Sequence, residues 1–327
     1  ADVVISGLAS TDPVPGTYIE INFAQGPASG FEGVYEIVLL GNKTSAGSAT
    51  VGTQIYGPDS SDPLQTEANA ITLFGPGSEL HLMWREAAKA NPDTVIRVVC
   101  VAESGGAAAT GSVTITNSAT GVGTAVMYVA DEACEASIAS GDTVTTIATN
   151  ICAAINAKTW LPVTASNIAG AITLTAKNIG PRGNSIRYMC LIKSVTSIAT
   201  TSSVTTDTAM SGGTTDDNVT TALATSLPSR FYYIISASND STNLGLIKAQ
   251  VAAQAAPTIG IRQRMVAAVC GTSGSAITLA QGLNYERAEI IHQQEAPMGP
   301  ARLAAKLGAI YAYEELPANP RTNFVSY

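Results

Sequence analysis

Charge is scarce in this chain. Of its 327 residues only 13% are charged, against about a quarter in ordinary globular proteins. Such a surface has little charge to keep free monomers soluble, so two readings stand. Either the surface is built of Ser and Thr, or neighbouring subunits cover it. The net charge of −8 argues against nucleic acid or an anionic membrane as the main partner. Aromatic residues are only 6%, which gives no sugar- or base-stacking platform. The two histidines, His81 and His292, have no acidic cluster around them in sequence and leave little for a transition-metal site. The five cysteines (Cys100, Cys134, Cys152, Cys190 and Cys270) are odd in number and scattered, without a CxxC pair. Four lie in apolar runs, as reduced, buried small hydrophobes do, rather than in a disulfide frame or zinc site. No stretch approaches the roughly 18 apolar residues of a membrane-spanning helix. The opening "ADVVISGLASTDP" has neither the basic start nor the long apolar segment of a signal peptide; the leading Ala suits a cytoplasmic product that has lost its initiator Met, and a cleaved signal would leave the same end.

What is present is an ordinary apolar content of 46% in a chain long enough for about two domains of roughly 150 residues each. "VYEIVLLGN" (34–42) and "TVIRVVCVA" (94–102) are near-continuous, β-branched runs, as in strands buried on both faces of a parallel sheet. Between them, "EANAITLFG" and "SELHLMWREAAKANP" read as helices, the second capped by Ser78 and stopped by Pro92. From residue 103 the texture changes to Thr, Ser and Gly, with short alternating strands. One amphipathic helix interrupts them, "GDTVTTIATNICAAINAK", with Asp142 as its expected cap and Val144, Ile147, Ala148, Ile151, Cys152 and Ile155 on one face. Asn167 to Gly170 reads as a hairpin turn and "NIGPRGN" as a longer one. After 218 the strand–helix alternation returns, ending in a helix that opens with Pro300.

The economical architecture is a discontinuous α/β core domain, a mixed sheet flanked by helices, made of residues 31–103 plus 217–327. An inserted, β-rich α+β domain occupies 104–216, and an extended arm occupies 1–30. Gly105-Gly106 and Gly212-Gly213 mark the expected crossings, at exposed sites of the kind that tolerate insertions. In the arm, "VPGTYIEINFA" alternates: Ile19, Ile21 and Phe23 point one way, Tyr18, Glu20 and Asn22 the other. A strand so near the N-terminus, followed by the loop "AQGPASGFEG", pairs either with its own chain's sheet or with another chain.

The catalytic inventory is thin. "GPGSEL" (75–80) resembles the start of a dinucleotide fingerprint, but Leu80 stands at the third glycine and the preceding segment is helical; a turn with Ser78 as cap is the plainer reading. "GTSGS" (271–275) lies between a strand and a helix, as a nucleophile elbow does, but Ser275 replaces the final glycine. A hydrolase through Ser273 would need His81 or His292 beside it, placed by an acid, and His292 ends a neighbouring strand candidate. His81, in its helix, reads as a surface or partly buried side chain, and Asp216-Asp217 as a solvated pair. "NKT", "NDS" and "NVT" match the glycosylation pattern by chance at this Asn and Thr content.

In order and spacing, several stretches resemble the tail sheath proteins of contractile-tailed, Mu-like bacteriophages. They are "VPGTYIEINFAQGPASG" with "YEIVLLGNKTSAGSA", "LFGPGSELHLMWREAAKANP", the region from "ATGSVTITNSATGVGTAVMYVADEACEASIASGDTVTTIATNICAAINAK" to "ITLTAKNIGPRGNSIRY", and "GGTTDDNVTTALA". The resemblance implies a structural, non-enzymatic subunit without cofactor or metal. Its partners would be other sheath subunits, the tail tube protein and the baseplate, with no direct nucleic-acid contact and no membrane insertion. It would reside in the virion tail, after assembly in the host cytoplasm, and would shorten to drive the tube through the host envelope. It also implies exchange of terminal strands between subunits, with Tyr18, Ile19, Glu20, Ile21, Asn22 and Phe23 as the candidate inter-subunit strand. Family members continue past "ELPANPRTNFVSY", so a fragment or a short member is expected, and a chain without the C-terminal partner strand is compatible with a monomer. The runner-up is a ligand-binding α/β module of periplasmic-binding type, with its cleft at the strand carboxyl ends.

Overall fold

The computed structural model describes residues 36–194, 198–226 and 231–314. The candidate inter-subunit strand, residues 18–23, lies outside them. The chain opens with β1 (Ile37–Asn42), β2 (Ile55–Tyr56), α1 (Glu67–Phe74), α2 (Glu79–Ala90) and β3 (Ile96–Val101). There follow β4 (Ala108–Thr116), β5 (Gly123–Val129), β6 (Glu132–Ile138), α3 (Val144–Ala157), β7 (Val163–Ile168), β8 (Ala171–Ile179), a 3-10 turn (Pro181–Ser185), β9 (Arg187–Lys193), β10 (Thr201–Ser202) and β11 (Thr208–Ala209). The last stretch carries α4 (Thr220–Ser226), β12 (Tyr233–Ser236), α5 (Ser241–Gln254), β13 (Arg264–Val269), α6 (Ser273–Leu283), β14 (Ala288–His292) and α7 (Pro300–Glu314).

These strands form three sheets. The largest runs β14-β13-β12-β1-β3-β2, parallel except for the short edge strand β2. It draws on residues before 102 and after 232. Every residue of β1 is buried. Ile37 and Leu39 pack with α1, α2 and α7 on one face; Val38 and Leu40 pack with α4, α5 and α6 on the other. This two-sided cover is why the strand reads as an unbroken apolar run. From β1 the sheet grows one way through β3 and the other way through β12 to β14. The winding therefore reverses between β1 and β12, the switch point of a doubly wound sheet.

The strands between 108 and 209 form two antiparallel sheets, β10-β4-β8-β7 and β11-β9-β5-β6. Their inner faces share one core with α3, which contributes Ile147, Ala148, Ile151, Cys152 and Ile155. The expected apolar face of that helix is thus present, but its cap is Thr143, whose side chain accepts from the Thr146 N–H. Asp142 instead accepts from the Ala139 N–H in the turn before the helix. The β7–β8 hairpin closes on Ala169 and Gly170, both with positive φ (49° and 91°), a turn in which glycine carries no steric penalty.

The segments at the glycine pairs are held to one another, with Gly105 and Gly212 exposed. The Thr214 N–H donates to Ala107 O, the Ala107 N–H donates to Thr214 Oγ1, and one antiparallel bridge joins Ala102 to Asn218. A Cβ on Gly213 would lie 2.3 Å from Gly180 O, so close backbone approach, not looseness, explains the glycine there.

Candidate functional site

A buried polar cluster sits at the carboxyl end of the parallel sheet, where the β-rich region meets it. The 3-10 turn after β8 places Arg182, 7% exposed, against the end of β1 and the start of α2. Its Nε donates to Glu79 Oε1 at 2.7 Å; its Nη2 donates to Glu79 Oε2 at 3.1 Å, to Asn42 Oδ1 at 2.9 Å and to Asp217 Oδ2. The Asn42 N–H donates to Glu79 Oε2 at 3.1 Å, and Asp217 Oδ1 accepts from the Ser104 N–H. Burial works against the Arg182 charge, but the Glu79 and Asp217 carboxylates outweigh it and raise the pKa. A buried charge survives only with such pairing. Asp217 is 4% exposed, which corrects the reading of Asp216-Asp217 as a solvated pair; only Asp216 faces solvent. Neighbouring Asn178 extends the contact. It accepts from the Glu79 N–H and donates to Lys43 O and Glu103 Oε1.

A second arginine ties the same two regions. Arg302 on α7, also 7% exposed, grips Asp131 in the β5–β6 turn with two donors, at 2.7 and 2.9 Å. Its Nη2 also donates to Glu86 on α2 at 2.7 Å. Glu79 and Glu86 are seven residues apart, two turns of one helix, and so lie on one face. Burial opposes charge on both Asp131 and Arg302, yet the pairing wins and the Asp131 carboxyl is held below its usual range. Sequence reading found neither arginine. The only trace of Arg182 is a cation between Pro181 and Gly183 in a chain with few cations, and a turn arginine is ordinarily solvated.

The residues singled out from sequence for chemistry are dispersed. His81 is fully buried, not a surface or half-buried group. Its Nδ1 accepts from the Gly77 N–H at 3.0 Å, and Glu67 Oε1 lies 3.4 Å from Nε2. Burial first, then Arg85, depress its pKa against the pull of Glu67. Lys177 spans from Pro76 O to Thr159 O, and burial brings its pKa down to about 8. In "GPGSEL", Gly75 ends α1 and Ser78 caps α2, so the segment is a helix–helix turn. Ser273 is the first residue of α6, exposed, and the His292 ring contacts Gly271 O at 2.9 Å, not the serine. The five cysteines are free, four of them buried. Among the described residues no group of three or more His, Cys, Asp and Glu side chains is placed to hold a metal, and no helix is long and apolar enough to cross a membrane.

A doubly wound sheet normally takes its ligand outside the strand carboxyl ends at the switch point. Here β1 ends in Asn42, whose side chain is engaged by Arg182. Arg182 thus occupies the end of β1, and a recess of about 450 Å³ lined by Arg182, Asn239, Val269 and Thr272 stays open beyond β12 and β13.

The fold sets a parallel α/β sheet beside two antiparallel sheets, with buried ion pairs between them. Over 320 residues, 97% of its length, the chain is 29% identical to the Mu-like prophage FluMu tail sheath protein of Haemophilus influenzae, and it spans 64% of that relative. The resemblance read from the sequence is thereby borne out. A crystal structure of a sheath tail protein from Desulfitobacterium hafniense aligns with 90% of this chain and 62% of its own, at 13% identity and a TM-score of 0.36. No protein-family model matches the chain.

Proposed function

We propose that the chain is a structural, non-enzymatic subunit of a contractile phage tail sheath. The observation that carries this reading is similarity along 97% of the chain to a tail sheath protein of a Mu-like prophage. The surface is in keeping with a covered subunit. The α6 segment SGSAITLAQGL has no charged residue, and its Ile277 is 56% exposed. In this reading the partners are other sheath subunits, the tail tube and the baseplate, the location is the virion tail after assembly in the host cytoplasm, and shortening of the sheath drives the tube through the host envelope.

The domain scheme belongs to the same proposal: a core of 31–103 plus 217–327, an insertion at 104–216 and an arm at 1–30. It is supported by one sheet drawing on strands before 102 and after 232, while the strands between 108 and 209 pair among themselves. Residues 18–23 add a strand to a neighbouring subunit, with main-chain hydrogen bonds joining the two bodies.

The direct experiment is immunogold electron microscopy with antibodies raised against this chain, on phage particles from the strain that encodes it. Gold along the tail supports the proposal. Gold absent from tails, with the protein detected in the same lysate, overturns it. Deleting residues 1–24 from the sheath protein should abolish tube formation and leave a folded chain; normal tubes would remove the strand-exchange part alone.

A further inference from the structure

We propose that Asn42, Glu79 and Asp217 form a guanidinium-binding notch in the α/β layer, which the protein fills with its own Arg182, and that this seating fixes the β-rich region to the layer. The proposal stands independently of the sheath reading.

Three observations carry it. First, the acceptors come from three separate places: the end of β1, the first residue of α2, and the chain just before α4. All of them belong to the α/β side. The cation arrives on a turn from the other region and engages all three acceptors through Nε and Nη2. That is the arrangement of a receptor and its ligand, with the fork geometry that suits a guanidinium rather than an ammonium. Second, the two carboxylates of the notch are held without the arginine. Glu79 Oε2 is held by the Asn42 N–H, Asp217 Oδ1 by the Ser104 N–H, and the Asn243 side chain donates to Asp217 O from α5. The two carboxylates are therefore each positioned by a backbone N–H of the α/β side, while the Asn42 side chain is oriented by the arginine itself. Third, Arg182 Nη1 is buried and has no hydrogen-bond partner among the described residues, and a cavity of about 80 Å³ lies against the side chain. The fit is thus made by one edge of the guanidinium, and there is room beside it for a small ion to enter once the side chain is cut back.

The notch occupies the place where doubly wound sheets bind ligands. In this chain that place serves as an internal socket. Seating one side chain there sets the 3-10 turn, and through Asn178 the end of β8, in register with α2.

The test is limited proteolysis of the full chain, with cleavage mapped at 103–107 and 212–217, the two segments between the sheets. Arg182→Ala should be cut there at least about tenfold faster than wild type, the population change that loss of 1.4 kcal/mol produces. Low-millimolar ethylguanidinium should restore slow cleavage in the variant. The same concentration of tetramethylammonium should not, and wild type, its notch filled, should not respond to either. A folded Arg182→Ala cut at the wild-type rate overturns the proposal, as does equal protection by both ions. Should the variant not fold unaided, its refolding yield is the readout. A yield raised by ethylguanidinium alone supports the socket, and equal yields with the two ions overturn it. Asp217→Asn, which keeps Arg182 in place but weakens its seat, should be cut faster and gain nothing from ethylguanidinium; rescue of that variant would contradict the filled notch.

Discussion

Strands β1 and β4 both lie inside their sheets, yet they are built on opposite plans. All six residues of β1 are buried, while β4 alternates, with Ala109, Gly111, Val113 and Ile115 inside and Thr110, Ser112, Thr114 and Thr116 outside. The difference is one of cover. Helices close both faces of the parallel sheet, whereas the β10-β4-β8-β7 sheet has one face on the shared core and the other open. The open face is made of hydroxyls. Thr110 pairs across to Thr175 and on to Thr164, and Ser112 pairs to Thr173 and on to Ser166. Threonine suits a pleated, half-exposed surface. A chain so poor in charge therefore solvates its β-rich region with Thr and Ser, and places strong ion pairs where the two regions meet.

The largest way to break this contrast is at the ionic seam. Arg302→Ala removes the hydrogen-bond partner of Asp131 and Glu86 together and should cost about 3–5 kcal/mol, because it leaves the buried Glu86 carboxylate with only the longer Arg85 contact at 3.8 Å. Urea unfolding measures the loss; a shift below about 1 kcal/mol would mean that the seam is wet and weak. Next comes the two-sided sheet. Leu39→Ala, at a fully buried position, should cost about 2–5 kcal/mol in the same assay. Gly213→Ala should follow at about 1–3 kcal/mol, since its Cβ meets a backbone carbonyl that no rotamer change can move.

The layers were legible from sequence because their signals are local. The apolar runs of β1 and β3, Ser78 before α2, and Pro300 opening α7 each carry their reason within a few residues. So does the alternation of the Thr-rich strands. The junction was not legible because it exists only in three dimensions. Arg182 meets Asn42 across 140 positions and Glu79 across 103; Arg302 meets Asp131 across 171. No periodicity links such residues, and single charges in Pro-Arg-Gly or Asp-Asp stretches read as solvated. His81 failed for the same reason. A histidine in a helix start is buried here because Gly77 and the α1 side close over it. The ring could have been flagged by the run Leu80, Leu82, Met83 and Trp84 around it, since a helix start that is apolar all round is buried all round.

That buried ring gives a pH test of the α/β side. His81 is held neutral, with its pKa depressed chiefly by burial and by Arg85. The unfolded chain takes up a proton as pH falls through about 6.5, whereas the folded chain resists until lower pH. The stability from neutral His81 is therefore complete above about pH 6.5, and drains away as pH falls from there through the lower folded pKa. Each unit of depression corresponds to about 1.4 kcal/mol. Urea midpoints of wild type and His81→Gln, compared between pH 7.5 and 5.0, should converge as the pH drops. Parallel curves would show that the imidazole is not the group responsible.

The smallest effect belongs to the hydroxyl face. Thr173 is exposed on β8, between Ser112 and Ser166, with no charged side chain on either cross-strand partner. A lysine there meets no like charge at those positions, and its long stem can carry the ammonium into water. Thr173→Lys should thus change the stability of the isolated chain by no more than about 0.5 kcal/mol, the range of ordinary surface substitutions. Ile172→Ala, one residue earlier and fully buried, should cost about 2–5 kcal/mol by the same measurement. The two substitutions sit on adjacent residues of one strand, so propensity and position along the sheet are nearly shared, and the gap between them isolates cover. If Thr173→Lys proved as costly as Ile172→Ala, the outer face would be packed against something in the isolated chain, and the contrast with β1 would fail.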